Sequence, residues 1–464
     1  MNLITNRPTG EEIPLILLDQ QEFSAFKSRA DRSILNQVES REFQPEFGNV
    51  AILHKAEGTL HGVLVGLENP PADPRALLRL FAGLAESLPS KYAYALASES
   101  SVEPTTAALG WGLAEYQFTR YQKKEPKPRP KLCITAPVSM ADIASQLEAI
   151  FFARDLINTP ANDLGPGEVC AKARELAETW NAELNIVEGD RLLEENYPAI
   201  HAVGKGSARP PALIDLKWGD PSNPKLTLVG KGVVFDTGGL SLKTNANMVL
   251  MKKDMGGAAI TMALAGMVMR RGLKVRLRLL VPTVENTPGP TSYRPGDIIP
   301  TRKGLRVEIG NTDAEGRVIL CDALAEAASE DPDLLLDMAT LTGAARVALG
   351  PDLPGFWTPD DALADALKAA SDQVGDPVWR MPLWHPYLKM MKSPCADLNN
   401  AGNGPFAGAI TAALYLYEFV KPLKRWIHFD VYGWNKDSSP GAPKGGEASA
   451  LRAIYHFLET RYGT

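Results

Sequence analysis

The chain reads as an α/β protein, with a smaller N-terminal α/β domain and a larger C-terminal domain whose mostly parallel central sheet is covered by helices. Three observations predict this. Beyond residue 139, short apolar runs alternate with longer Ala- and Leu-rich stretches of helical spacing, the pattern of a parallel sheet covered on both faces. With 464 residues, the chain is too long for one small core. A compositional break, Lys123-Lys124-Glu125-Pro126-Lys127-Pro128-Arg129-Pro130-Lys131, cannot continue a helix or a central strand. The expected division is 1–138, ending in this exposed Pro/Lys-rich linker, and 139–464.

Taken in order, residues 140–157 have apolar residues at helical spacing, and Asn158-Thr159-Pro160 stops them. Strands are expected over 213–218 and 226–229. Residues 258–270 are rich in Ala, Met and Leu and form a helix that ends near Gly272. A strand over 273–281 follows, then a helix over 315–329 and a buried strand over 334–339. A helix over 410–419, a strand over 426–431 and a closing helix over 448–459 complete the pattern. Ligand sites in such sheets lie beyond the carboxyl ends of strands. The segments after 226–229 and 334–339 are therefore the places to look for chemistry.

Composition narrows the function classes. Hydrophobic residues make up 45% and charged residues 22%, as in soluble globular proteins. The net charge of −6 disfavours a broad nucleic-acid surface. Cys133, Cys170, Cys321 and Cys395 form no C-x-x-C pair, which points to a reducing compartment rather than a disulfide scaffold. The first residues show no basic region followed by an apolar run, and no apolar stretch is long enough to cross a bilayer. A cytoplasmic protein with no membrane partner is expected.

The most informative stretch is Asn311-Thr312-Asp313-Ala314-Glu315-Gly316-Arg317. Its two carboxylates repel unless something cationic joins them, and a metal ion is the commonest answer. Gly316 lets backbone approach a site without side-chain bulk. Upstream, Lys231, Asp236, Lys243 and Asp254 stand among valines, glycines and leucines, where lone charges are costly to bury without partners. Together the two clusters imply one buried polar site. Four carboxylates exceed the needs of one catalytic ion and suit two ions, roughly 3.5–4 Å apart, that share oxygens. Lys231 can ligate only as the neutral amine, far from its free pKa of about 10.4, and a nearby dication lowers that value. A set without histidine is unusual for zinc and leaves room for manganese or magnesium.

Other chemistries lack their motifs. Gly230-Lys231-Gly232 has neither the Gly-Lys-Ser/Thr ending of a phosphate loop nor a third glycine at dinucleotide spacing. No G-x-S-x-G or H-E-x-x-H occurs. His428, inside an expected strand, and Cys321, on an expected helix, read as core residues.

The heptapeptide and the spacing of Lys231, Asp236, Lys243 and Asp254 resemble the leucine aminopeptidase (cytosol aminopeptidase) family of dinuclear metallopeptidases, over roughly 150–460. The resemblance implies one ion held by Lys231, Asp236, Asp254 and Glu315. A more exchangeable ion would be held by Asp236, Glu315 and the side chain and carbonyl of Asp313. The ions would be Zn²⁺ or Mn²⁺, with Mg²⁺ or Co²⁺ admissible at the exchangeable position, and a water between them would be the nucleophile. It further implies that Lys243 polarises the scissile carbonyl and that Arg317 holds a bicarbonate proton relay. Asp254 and one ion would take the free amino terminus of a peptide, and Thr340, Leu341 and Gly343 would line the cleft. Met251, Gly343, Tyr432 and Asn435 would shape the first-side-chain pocket. A homohexamer with sites facing an inner cavity is also implied. Val318, Thr237 and Gly445-Gly446-Glu447-Ala448 depart from the family pattern. Tyr432 and Asn435 stand where small or apolar residues are usual, so smaller or polar first residues are expected over leucine. Two alternatives accompany the aminopeptidase reading: a cysteinylglycine-type dipeptidase, and a DNA-binding or regulatory protein on the same fold.

Overall fold

The structure is a computed structural model and describes residues 3–67, 73–96, 102–402 and 404–463. The chain forms two compact units. The first comprises Met1–Leu147 and Asp437–Pro443, and the second Glu148–Lys436 and Lys444–Thr464.

The first unit is built on a six-stranded sheet, in the order Ile4–Thr5, Lys131–Ile134, Ala93–Leu96, Ile13–Leu18, Leu60–Gly66 and Val50–His54. Every pairing is parallel except that of the last two strands. Apolar side chains such as Leu53, Val63 and Leu64 are fully buried in it. The proline–lysine segment is exposed irregular chain, as its composition requires. It leads directly into the Lys131–Ile134 strand of this sheet, so it is a surface loop within the first unit. The short return of 437–443 to this unit reads Asp437-Ser438-Ser439-Pro440-Gly441-Ala442-Pro443, the composition of a loop.

The second unit holds the larger sheet. Its strand order is Trp379–Arg380, Gly355–Trp357, Trp426–Asp430, Leu334–Ala339, Lys225–Gly230, Arg276–Asn286, Ala212–Trp218 and Glu183–Glu188, and Gly232–Asp236 pairs with Arg276–Asn286. The central strands pair in parallel: Lys225–Gly230 lies between Leu334–Ala339 and Arg276–Asn286. Antiparallel pairing is confined to Glu183–Glu188 with Ala212–Trp218, Ala212–Trp218 with Arg276–Asn286, and Gly355–Trp357 with Trp426–Asp430. Leu226, Leu228, Val229 and Leu334 through Met338 are fully buried, as a parallel strand covered on both faces requires. The helices Gly256–Arg271 and Glu315–Ser329 both pack on the Lys225–Gly230 strand.

Most expected elements are present with small shifts. The first long helix is Met140–Asn158, and the late helix is Gly408–Val420. The strand expected over 273–281 runs instead from Arg276 to Asn286. Gly272, at φ 65°, ends the preceding helix, and Leu273 and Lys274 complete the turn. The run Val281-Pro282-Thr283-Val284 then extends the strand to the edge of the site. The closing helix begins at Leu451, three residues late, because Ala450 adopts a left-handed conformation at φ 66°. The charge-bearing stretch 232–236 is itself a strand. His428 and Cys321 are both core residues: His428 Nδ1 lies 2.6 Å from Asp337 Oδ1, its ring stacks on Trp426, and the Cys321 thiol meets Val318 O at 3.0 Å.

One glycine fixes the distance between helix and sheet. A Cβ on Gly257, in the first turn of Gly256–Arg271, would lie 2.8 Å from Met338 C and 2.9 Å from Ala339 Cα. These are backbone atoms of a central strand and cannot give way. Gly257→Ala is expected to destabilise the fold by about 1–3 kcal/mol through overpacking. Urea unfolding should show a lower midpoint at unchanged slope, and an unchanged midpoint would mean that the helix is free to move out.

Candidate active site

Five loops bring the charged residues to one place, each just past a secondary-structure element. Lys231 follows the Lys225–Gly230 strand and is pinned there, its N–H donating to Met338 O at 3.0 Å. Asp236 ends the Gly232–Asp236 strand opposite Asn286. Asp254 lies on the single 3₁₀ turn Met251–Met255. Asp313 and Glu315 flank the start of the helix Glu315–Ser329, and Glu315 is its first residue. Thr340, Leu341 and Thr342 leave the Leu334–Ala339 strand.

The geometry is tight and almost wholly buried. Lys231 Nζ sits 2.7 Å from Asp254 Oδ2 and 2.9 Å from Glu315 Oε1, and donates to Thr340 O at 2.9 Å. Lys243 Nζ lies 2.7 Å from Asp236 Oδ2 and also pairs with Asp313. Carboxylate oxygens of Asp236, Asp313 and Glu315 fall within 4.8 Å of one another. Thr340 Oγ1 donates to Asp254 Oδ1 at 2.8 Å, and Asn286 Nδ2 to Asp236 Oδ1 at 2.7 Å. Gly316 is required by this closeness, because a Cβ there would meet Lys231 Cε at 2.5 Å and Nζ at 2.8 Å.

Electrostatics show what the cluster lacks. Burial, with Asp254 repelling, pushes the Asp236 carboxyl up to about 6 despite Lys243 and Lys231 beside it. Burial and Asp236 hold the Glu315 carboxyl well above its usual range. Burial acts to lower the Lys231 ammonium, but Asp254, Glu315 and Asp236 outweigh it and raise it. Lys243 is raised in the same way, with Asp236 and Glu315 overcoming burial. Four carboxylates against two ammoniums leave a surplus of negative charge, most of it on the buried Asp236, Asp254 and Glu315. This donor set fits divalent cations, with oxygen ligands gathered at one point and an amine among them.

A cavity of about 530 Å³ opens beside the cluster, lined by the metal-type residues and by Lys243, Met251, Thr340, Leu341, Gly343 and Tyr432. Two sequence candidates lie elsewhere. Arg317 does not line this cavity; it is buried on the Glu315–Ser329 helix, donates Nη1 to Asn400 O at 2.7 Å, and has no partner for its Nε. Asn435 does not line the cavity either. Its amide donates to Glu447 Oε2 at 2.6 Å, and Glu447 is paired at 2.9 Å with Arg154. Asn435, expected at the first-side-chain pocket, has its amide engaged with Glu447.

Sequence reasoning passed over the residues that hold the loops in register. Asn400 Oδ1 accepts the N–H groups of Gly310 and Asn311, and its Nδ2 donates to Asn311 O. Tyr293 donates to Thr312 O at 2.7 Å, and Asn286 Nδ2 also donates to Thr312 O at 3.0 Å. Asp430, buried, accepts from Leu341 N, Thr342 N and Thr342 Oγ1. Only Asn286 and Asp430 carried a signal, each a polar residue closing an apolar strand. Lys253 and Arg346 also line the cavity and were not singled out. Burial pulls the Lys253 ammonium down to about 8.

Buried carboxylates closed by lysines, at the carboxyl edge of a parallel sheet beside an open cavity, define a metal-dependent hydrolase. Comparison with known proteins makes this specific. Residues 151–455 match the catalytic domain of the cytosol aminopeptidase family, and residues 13–134 match the M17 aminopeptidase N-terminal domain. A cytosol aminopeptidase from Coxiella burnetii is 45% identical in solved structure, with all of both chains covered and a TM-score of 0.93. The bottromycin maturation enzyme BotP, in complex with Mn, is 32% identical over 98% of this chain and 100% of its own, with a TM-score of 0.87. A probable cytosol aminopeptidase of Geobacter sulfurreducens is 38% identical over 92% of this chain and 91% of its own. The chain belongs to the cytosol aminopeptidase family, and it is a metal-dependent aminopeptidase. The dipeptidase and DNA-binding alternatives are not favoured. Among the described residues, no helix is long and apolar enough to cross a membrane.

Proposed function

We propose that Lys231, Asp236, Asp254 and Glu315 hold one divalent ion, and that Asp236, Glu315 and the side chain and carbonyl of Asp313 hold a second. The observation that carries this reading is the convergence of four carboxylates, three of them buried, on two lysines at the wall of the cavity. Zn²⁺ or Mn²⁺ suits both positions, and Mg²⁺ or Co²⁺ the more exposed one at Asp313. Such ions supply Lewis acidity at the peptide carbonyl and a water acidified towards neutrality.

The chain's own residues do the rest. Asp254, oriented by Thr340, takes the free ammonium of a peptide, which confines cleavage to the first residue. Lys243 lines the cavity, and with its carboxylate partners committed to metal its ammonium is free to meet the carbonyl oxygen as charge develops there. The unpartnered Arg317 Nε supports a bicarbonate ion that holds and returns the proton. Backbone at Leu341 and Gly343 lines the path of the peptide. The substrates are peptides with a free amino terminus, acted on in the cytoplasm by a homohexamer.

Glu315→Ala, which removes an oxygen common to both ions, is expected to lose bound metal and turnover together. Two equivalents of metal with near-normal turnover in this variant would contradict the shared-ligand assignment. Lys243→Ala should reduce kcat about 10²–10³-fold with little change in KM, and a raised KM at constant kcat would make Lys243 a positioning residue only. In the same assays bicarbonate should stimulate the wild type more than Arg317→Ala, and equal stimulation would remove the relay. Light scattering should show a hexamer; a stable, fully active monomer would exclude it.

A further inference from the structure

The cavity beside the cluster carries two cations that, among the described residues, make no ion pair or hydrogen bond with a carboxylate. Lys253 is 5% exposed and lines the cavity. Among the described residues, no carboxylate or carbonyl oxygen takes its ammonium, which instead lies 4.9 Å from the centre of the Tyr432 ring. Arg346, on the short helix Gly343–Leu349, also lines the cavity, and its guanidinium lies 4.9 Å from the same ring centre. It reaches back over the start of its helix, with Nη2 3.7 Å from where a Cβ on Gly343 would stand. The nearby acids are committed elsewhere. Asp430 accepts three hydrogen bonds from Leu341 and Thr342, and Asp254 is held by Lys231 and Thr340. A buried ammonium without an anion is costly, and a leucine side chain placed against it would remove its remaining water and return nothing.

We propose that this cavity takes the carboxylate of an aspartate or glutamate at the first position of the peptide, with Lys253 and Arg346 as its counter-ions beside the Tyr432 ring. The proposal rests on the aminopeptidase reading and names its substrate class. Tyr432 then serves as a platform that holds two cations by its π face and fills the depth an aliphatic side chain would need. Arg346 can grip a carboxylate by two N–H groups, while Lys253 acts as a point charge at the buried end. A carboxylate could also come from the far end of a dipeptide. The position of Lys253, one residue from Asp254 and beside Met251, favours the first side chain.

The test is kcat/KM on glutamyl, aspartyl, leucyl and methionyl anilides, whose leaving group is neutral, with Mn²⁺-loaded protein. Wild type should cleave glutamyl at least as well as leucyl substrate. The glutamyl-to-leucyl ratio should fall about 10–100-fold in Lys253→Met and in Arg346→Gln. Calorimetry with the free amino acids should show L-glutamate binding more tightly than L-leucine, a preference lost in both variants. Metal content and thermal unfolding check the fold of Lys253→Met, and Arg346→Gln, on an exposed position, gives an independent reading. A wild type that prefers leucyl substrate by about tenfold or more, or ratios unmoved in both variants, overturns the proposal and leaves the aminopeptidase reading intact. So does a preference for leucyl-glycine over leucyl-glycinamide that vanishes in Lys253→Met without any preference for glutamyl substrate, since the carboxylate would then be the dipeptide's own. Failure to cleave any of the substrates overturns both readings.

Discussion

The second unit is organised around a single electrostatic problem: four carboxylates, all but Asp313 buried, gathered around two lysines at the wall of one cavity. Burial raises the Asp236 and Glu315 carboxyls, and repulsion raises them further, from Asp254 and Asp313 on Asp236 and from Asp236 and Asp254 on Glu315. Lys231 and Lys243 answer part of this charge. The remainder calls for cations from outside the chain. The need for a buried amine next to a helix start explains Gly316, and the tight crossing of helix and sheet that brings Asp254 close to Lys231 explains Gly257.

A cluster of this kind survives only if its loops are held rigid, and buried hydrogen-bonding side chains do that work. Asn400 ties the backbone of Gly310 and Asn311, Asn286 and Tyr293 both bond the Thr312 carbonyl, and Asp430 fixes Leu341 and Thr342. Each buried donor or acceptor satisfied in this way holds a loop in one position. The Arg154–Glu447–Asn435 group belongs to the same class of device. It joins Glu447, where the sequence departs from the family pattern, to the Asn435 amide.

Much of this was legible in the sequence, for physical reasons. Buried parallel strands such as Leu334–Ala339 are continuous apolar runs, and lone charges among them stand out because their burial is costly. Hence Lys231, Asp236, Lys243, Asp254, Asp313 and Glu315 could be singled out before any geometry. Elements whose limits depend on a single backbone conformation were less legible, as Ala450 shows at the start of the last helix. The strand Gly232–Asp236 was hidden by its own glycine and aspartate. Asn400 gave no signal, since asparagine in a loop is ordinary until its partners are known. Lys253 was not singled out, because a lysine beside another lysine carries no signal, and its burial against Tyr432 emerges only from the fold.

The central claim is that the carboxylates are shared between two ions, since a shared oxygen is what allows so many charges to be packed so closely. Titration of metal-stripped protein with Mn²⁺, followed by electron paramagnetic resonance, tests it most directly. Two ions per chain with an exchange-coupled spectrum are expected, because bridging carboxylates bring the two spins into contact. Saturation at one ion per chain, or two ions with uncoupled spectra, would contradict the account.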